Sequence, residues 1–178
     1  MQETLIFNAA EVPVYGLELE GSILFSEKWS GRANIGYLNA EYDEFLLDLD
    51  LDGIPDHDLS NRDVSRAPEW QAGADITYDT QLGNIGNLRA QASVYYQDEN
   101  TFYYAPSGEQ FDTVIESYTT VDGFVTYTHS SEKWYFSIYG KNLTDEIYHS
   151  ASQYVGGLWT FSTYAPPRTY GAEIGINL

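Results

Sequence analysis

The chain has no cysteine. That excludes a disulfide framework, thiolate metal sites and thiol nucleophiles together. Basic residues are scarce: 8 Lys and Arg stand against 27 Asp and Glu, a formal net charge of −19 over 178 residues. A nucleic-acid partner is excluded on that ground, because phosphate contacts need a basic surface. No run approaches the ~18 apolar residues of a membrane-spanning helix. Helical membrane proteins are therefore excluded, but a β-barrel is not, since only every second residue of its strands faces lipid. Catalytic words are also absent: there is no Gly-x-Ser-x-Gly, no phosphate loop and no His-Glu-x-x-His, so the chain is not expected to be an enzyme. The opening MQETLIFNAAEVPVYG lacks the positive and apolar regions of a secretory signal. The expectation is a fragment whose targeting signal lies elsewhere.

What is abundant is aromatic. Phe, Trp and Tyr make up 16% of the chain, with 16 Tyr and 4 Trp. Such rings favour positions with one end apolar and the other wet, as in membrane belts. They sit in stretches of period two, the period of a β-strand. Trp70, Ala72, Ala74, Ile76 and Tyr78 alternate with Gln71, Asp75, Thr77 and Asp79. Similar stretches run over Tyr15–Ser26, Arg32–Tyr37, Leu88–Asp98, Thr120–His129, Trp134–Lys141 and Thr169–Leu178. The phase slips near Leu38, which predicts a bulge or the exit from the sheet, and Leu24 and Phe124 are out of phase. This gives seven strands, with an eighth piece at Glu3–Phe7.

The connections alternate in length. Ser26–Ser30, Thr80–Asn87 and Ser130–Lys133 are short; Asp43–Arg66, Glu99–Ser117 and Thr144–Pro166 are long and read as loops. In an antiparallel meander all short turns fall at one end and all long loops at the other, as in a transmembrane β-barrel. Two short turns repeat a word, Ser26-Glu27-Lys28-Trp29 and Ser131-Glu132-Lys133-Trp134, each placing a Trp at the level of an aromatic girdle. The strands are near the ~9–11 residues that span a bilayer at a tilt, and their apolar faces hold no charge. The fold class is therefore all-β: an antiparallel up-and-down meander of about seven to eight long strands, a segment of a transmembrane β-barrel, with residues 1–178 as one unit.

Several segments then resemble TonB-dependent outer-membrane receptors. Asn142–Tyr148 (NLTDEIY) followed by Ala165–Leu178 (APPRTYGAEIGINL) is similar to the family's C-terminal end, where Asn-Leu-Thr-Asp leaves the penultimate strand and Pro-Arg-x-Tyr-Gly opens the last. Asn8–Gly21 and Ser65–Trp70 (SRAPEW) resemble the openings of earlier strands. The family usually ends in Phe, whereas this chain ends in Leu178. The resemblance implies the C-terminal part of a barrel of about 22 strands, in the outer membrane of a Gram-negative bacterium. It implies a plug domain and further strands that are not in this sequence, TonB contact only through that plug, and lipid around the outside. The implied function is active uptake of a siderophore, cobalamin or carbohydrate-type ligand, with the piece inactive alone. The alternative is a soluble extracellular β-domain that binds calcium or carbohydrate.

Two candidate sites lie in the long connections. Asp48, Asp50, Asp52 and Asp56 have the D-x-D-x-D-G spacing of a calcium loop, with Gly53 for the turn but Leu59 where a bidentate Glu belongs. No other cofactor is expected. Phe102, Tyr103 and Tyr104, then Tyr154, Trp159, Phe161 and Tyr164, place aromatics where they would meet a ligand or pack loop on loop. His57, His129 and His149 have no ligand spacing. Asn142-Leu143-Thr144 matches a glycosylation sequon by chance.

Overall fold

The computed structural model describes residues 11–48, 50–103, 113–155 and 158–177. The stretch Glu3–Phe7, Tyr104 and Leu178 lie outside them. Thirteen strands follow one another among the described residues. β1 is Val14–Leu24, β2 Trp29–Ala40, β3 Leu46–Leu47, β4 His57–Asp58, β5 Trp70–Gln81 and β6 Gly86–Gln97. β7 is Asn100–Tyr103, β8 Thr113–Ile115, β9 Tyr118–His129 and β10 Trp134–Lys141; β11 is His149–Val155, β12 Trp159–Tyr164 and β13 Thr169–Ile176. Seven of them form one antiparallel sheet in the order β1-β2-β5-β6-β9-β10-β13, the expected meander. The other six pair within the long connections, as hairpins β3/β4, β7/β8 and β11/β12.

Those hairpins correct the reading of the long stretches as loops. Their strands are too short, or too polar on both faces, for the period-two signal to stand out. A second correction concerns Leu38. β2 runs without interruption to Ala40, and Leu38 pairs with Gly16 in unbroken register. Leu24, Leu38 and Phe124 simply share the polar face.

Paired residues share a face, so the register fixes both faces. One row runs Leu19, Ile35, Ala72, Tyr96. Another runs Ile23, Gly31, Ile76, Ala92, Gly123, Gly140, Tyr170. Among the described residues this face has no charged side chain. It is also uncovered: Leu17 is 61% exposed, Leu19 58% and Ile174 68%. The buried apolar residues, Ala40, Leu47, Leu59, Ile115 and Tyr154, all lie toward the long-connection end. A soluble sheet buries its apolar face against another layer; here no described element packs on it.

Aromatic rows border the apolar face. At the short-turn end Trp29 meets Tyr78 at 4.8 Å between ring centroids, and Tyr127 meets Trp134 at 5.5 Å. At the other end Tyr37 meets Trp70 at 4.7 Å. Trp29 and Tyr37, or Trp70 and Tyr78, are eight residues apart, roughly 26 Å along a strand. At a tilt of about 40° that becomes ~20 Å of height, close to the apolar band of an outer-membrane barrel.

The repeated turn word has a local cause. Ser26 Oγ accepts from the Lys28 amide at 3.3 Å, and Ser131 Oγ accepts from the Lys133 amide at 3.4 Å. The same serine bond tightens both turns and delivers the Trp to the first position of a strand. The third short turn uses Gly83 instead, in the left-handed region at φ 58°. On the polar face at the β10–β13 pair, the rings of Tyr139 and Tyr135 lie over Gly171 and Gly175, where a Cβ would collide with them.

Candidate ligand-facing site

The last two sequence motifs meet in space. Asn142 and Asp145 both have left-handed backbones, at φ 51° and 58°, which Asn and Asp tolerate better than other side chains. Asn142 is buried. Its Oδ1 accepts from the Glu146 amide at 2.9 Å, and its Nδ2 donates to the Glu146 carbonyl at 2.8 Å and the Pro166 carbonyl at 3.4 Å. Its own amide donates to Asp122 Oδ1 at 2.8 Å. Asp145 pairs with Arg168 at 3.2 Å. The Asn-Leu-Thr-Asp and Pro-Arg segments thus clamp the base of the β11/β12 hairpin to the sheet. Their role is structural, and it holds the loop that completes the site.

At the long-connection end, above the polar face, the β7/β8 and β11/β12 hairpins and the residues before β5 line an open cavity of about 430 Å³. Its apolar wall is Phe102, Ile115, Tyr118 and Tyr148; its polar wall includes Arg66, Gln71, Gln97 and His149. Tyr118 and Tyr148 stack face to face at 3.9 Å, and Tyr95 lies 6.1 Å from Tyr118. The Arg66 guanidinium sits over the Phe102 ring at 4.1 Å, a cation–π contact.

The predicted aromatics divide. Phe102 lines this cavity. Tyr103 and Tyr154 stack on one another at 6.3 Å, and Tyr154 is buried; they join the two hairpins. Trp159 and Phe161 are exposed on β12, while Tyr164 packs on His149 at 4.6 Å. The sequence reading missed Tyr95, Tyr118, Tyr148 and Arg66. For Tyr95 and Tyr118 a signal existed: they are aromatics at polar-face positions, near the end where long connections gather.

The acidic loop folds as the β3/β4 hairpin. Leu59, at the position a calcium loop gives to Glu, is buried with Leu47 as the hairpin's apolar core. Asp48, Asp50 and Asp56 converge, their carboxylate oxygens within 4.8 Å of one another, a separation compatible with a shell of ligands at 2.3–2.6 Å from calcium. Asp52 is not among them; it caps the turn by accepting from the Ile54 amide at 2.8 Å. Asp48 accepts from the Gly53 amide at 2.7 Å and the Asp52 amide at 3.2 Å. On β4, hydrogen bonds from the Ser60 hydroxyl and amide hold the Asp58 carboxyl below its ordinary range.

Comparison with known proteins agrees with this architecture. Residues 2–143 match the family described as TonB dependent receptor-like, beta-barrel. The ferric yersiniabactin uptake receptor FyuA from Yersinia pestis superposes with a TM-score of 0.72 at 20% identity, over 93% of this chain and 23% of that one. The siderophore receptor PiuA from Acinetobacter baumannii gives 0.64 at 19%, over 92% and 21%. The chain therefore spans between a fifth and a quarter of those structures. No curated protein matches it. Homologues of this kind are outer-membrane proteins of Gram-negative bacteria, and the family consists of transporters rather than enzymes. The uncovered apolar face, its aromatic borders, the seven-stranded meander and the match over residues 2–143 have one reading: this chain belongs to the TonB-dependent receptor β-barrel family.

Proposed function

We propose that the chain is the C-terminal portion of an outer-membrane barrel for active uptake of a siderophore, cobalamin or carbohydrate-type ligand. In this reading residues 1–178 are one part of a single barrel domain. A plug and further strands complete it, and TonB acts through the plug. The carrying observation is the charge-free, uncovered face bordered by two aromatic rows. In water such a face would drive aggregation; in hydrocarbon it needs no cover. The polar face then lines the lumen, where Arg32 pairs with Asp75 at 3.0 Å, and the three hairpins stand on the extracellular side. β1 and β13 are the edges of the sheet, and an unpaired edge is not viable in hydrocarbon, so the piece enters lipid only where the two edges pair, with each other or with a second copy. The piece alone is accordingly expected to transport nothing.

The test is refolding of the purified chain into detergent and lipid vesicles. Heat-modifiable gel migration and detergent dependence are expected. Stable solubility without detergent would sink the membrane reading and restore the soluble β-domain. The metal proposal is narrower: calcium held by Asp48, Asp50 and Asp56, with calorimetry at millimolar calcium as its check. Absence of binding heat removes it.

A further inference from the structure

The cavity above the polar face is built by three local irregularities. The β7/β8 register jumps from Thr101 to Tyr103, so Phe102 is bulged out of the ladder. The β11/β12 register jumps from His149 to Ala151, which expels Ser150 in the same way. Arg66 holds a left-handed backbone at φ 63°, a conformation that costs an arginine free energy. All three side chains line the one cavity. Bulges re-aim side chains, and here two separate hairpins and one strained residue aim at a common space.

Beside Asn100, His149 and Ser150, the polar lining consists of two carboxamides and a guanidinium. The Tyr95 hydroxyl lies 3.0 Å from Gln71 Oε1 and 3.1 Å from Gln97 Oε1, and the Tyr118 hydroxyl donates to Gln97 Oε1 at 3.3 Å. With one proton on each hydroxyl, Tyr95 serves Gln71 and Tyr118 serves Gln97, so each carboxamide oxygen has a partner. These contacts leave the Nε2 amide of each to donate. Arg66 adds donors: stacking on Phe102 uses the guanidinium face and leaves its edge for an acceptor. The rings, by contrast, are partly spent, one face of Phe102 on Arg66 and one face each of Tyr118 and Tyr148 on the other. In a chain of net charge −19, no carboxylate is among the described residues that line this cavity. Its size falls in the range of small-molecule sites, ~300–1,000 Å³.

We propose that this cavity binds an oxygen-rich organic carboxylate, with its carboxylate on the Arg66 edge and its other oxygens on the Gln71 and Gln97 amides. This rests on the uptake-barrel reading and specifies the ligand class of its extracellular end. The chemistry is shared by sugar acids and by compact hydroxy-polycarboxylates, and it disfavours a ligand held by ring stacking.

The test uses the full chain refolded in detergent, titrated with trigalacturonate, citrate, neutral galactotriose and 2-naphthoate, with binding read by calorimetry. Binding of trigalacturonate or citrate at least tenfold tighter than galactotriose and 2-naphthoate is expected, and the tighter of the two names the source. Arg66→Gln and Gln97→Glu should each weaken that binding tenfold or more. Gln97→Glu nearly preserves shape and reverses the chemistry, so it remains informative if Arg66→Gln disturbs the backbone; circular dichroism and heat-modifiable migration verify the fold of each variant. Equal binding of charged and neutral sugars, tightest binding of 2-naphthoate, no binding, or unchanged affinity in a folded Gln97→Glu variant overturns the proposal. Any of these results in a chain that still enters vesicles leaves the barrel reading standing. Failure to enter vesicles counts against the barrel reading instead.

Discussion

The two faces of the seven-stranded sheet are made by the same strands, residue by residue, yet obey different rules. On β2 and β5 the register alternates Ala33↔Ala74 on one face with Arg32↔Asp75 on the other. The apolar face admits no charge among the described residues. The polar face holds Glu18, Glu20, Arg32, Asp75, Asp79, Arg89, Asp122, Lys141 and Glu173, placed there by register. The difference teaches that constraint here comes from the medium rather than from packing. Neither face has a core to fill, and only one faces a medium that rejects charge.

The comparison breaks most visibly if a charge crosses the sheet. Ala74→Lys, in the middle of the apolar face, is expected to cost about 2–4 kcal/mol of folding free energy in lipid. Ser93→Lys, opposite Asp75 on the polar face, should cost under about 1 kcal/mol. Urea titration of the vesicle-folded proteins checks the pair; equal costs would mean that the apolar face does not meet lipid.

A smaller effect sharpens the contrast between sheet and hairpins. Asn142→Ala removes the bonds to Glu146 and Pro166 and a side chain suited to the left-handed turn, at about 2 kcal/mol. The loss should be local. Hydrogen exchange is expected to accelerate across His149–Tyr164 and remain slow in β5 and β6; uniform acceleration would show that the clamp serves the whole sheet.

The smallest effect is a titration in the β3/β4 hairpin. Asp58 has its folded-state pKa lowered, first by the Ser60 hydroxyl and then by the Ser60 amide. A lowered carboxyl stabilises the fold above its unfolded pKa, near 3.9, and that contribution disappears as pH falls through the lower folded value. Acidification below about pH 4 should therefore loosen this hairpin, and Asp58→Asn should remove that part of the pH dependence. Amide exchange at Phe45 and Leu59, followed against pH, reports it.

The sheet was legible from the sequence because one rule, period two with a charge-free face, repeats seven times. Trp70–Asp79 alone shows it, and the Ser-Glu-Lys-Trp word fixes where two hairpins turn. The loop end was less legible because tertiary contacts decide it. Val155-Gly156-Gly157-Leu158, between runs rich in Tyr, Thr, Phe and Trp, carries a hairpin signal that the length of the stretch obscured. Nothing local marks Phe102 and Ser150 as bulged, or Arg66 as left-handed; those features exist because two hairpins and the residues before β5 share one space. Asp52 illustrates the reverse limit. Its spacing fits a calcium loop, but its carboxylate lies outside the cluster of Asp48, Asp50 and Asp56 and caps the turn instead.

The flat tyrosines over Gly171 and Gly175 bear on the width of the passage. A ring lying along the wall projects by its thickness; a ring standing away from the wall projects by its length, several ångströms further. Two glycines on β13 therefore decide how far Tyr139 and Tyr135 reach toward the axis. In the uptake-barrel reading, residues with no side chain of their own set the bore along this stretch of wall.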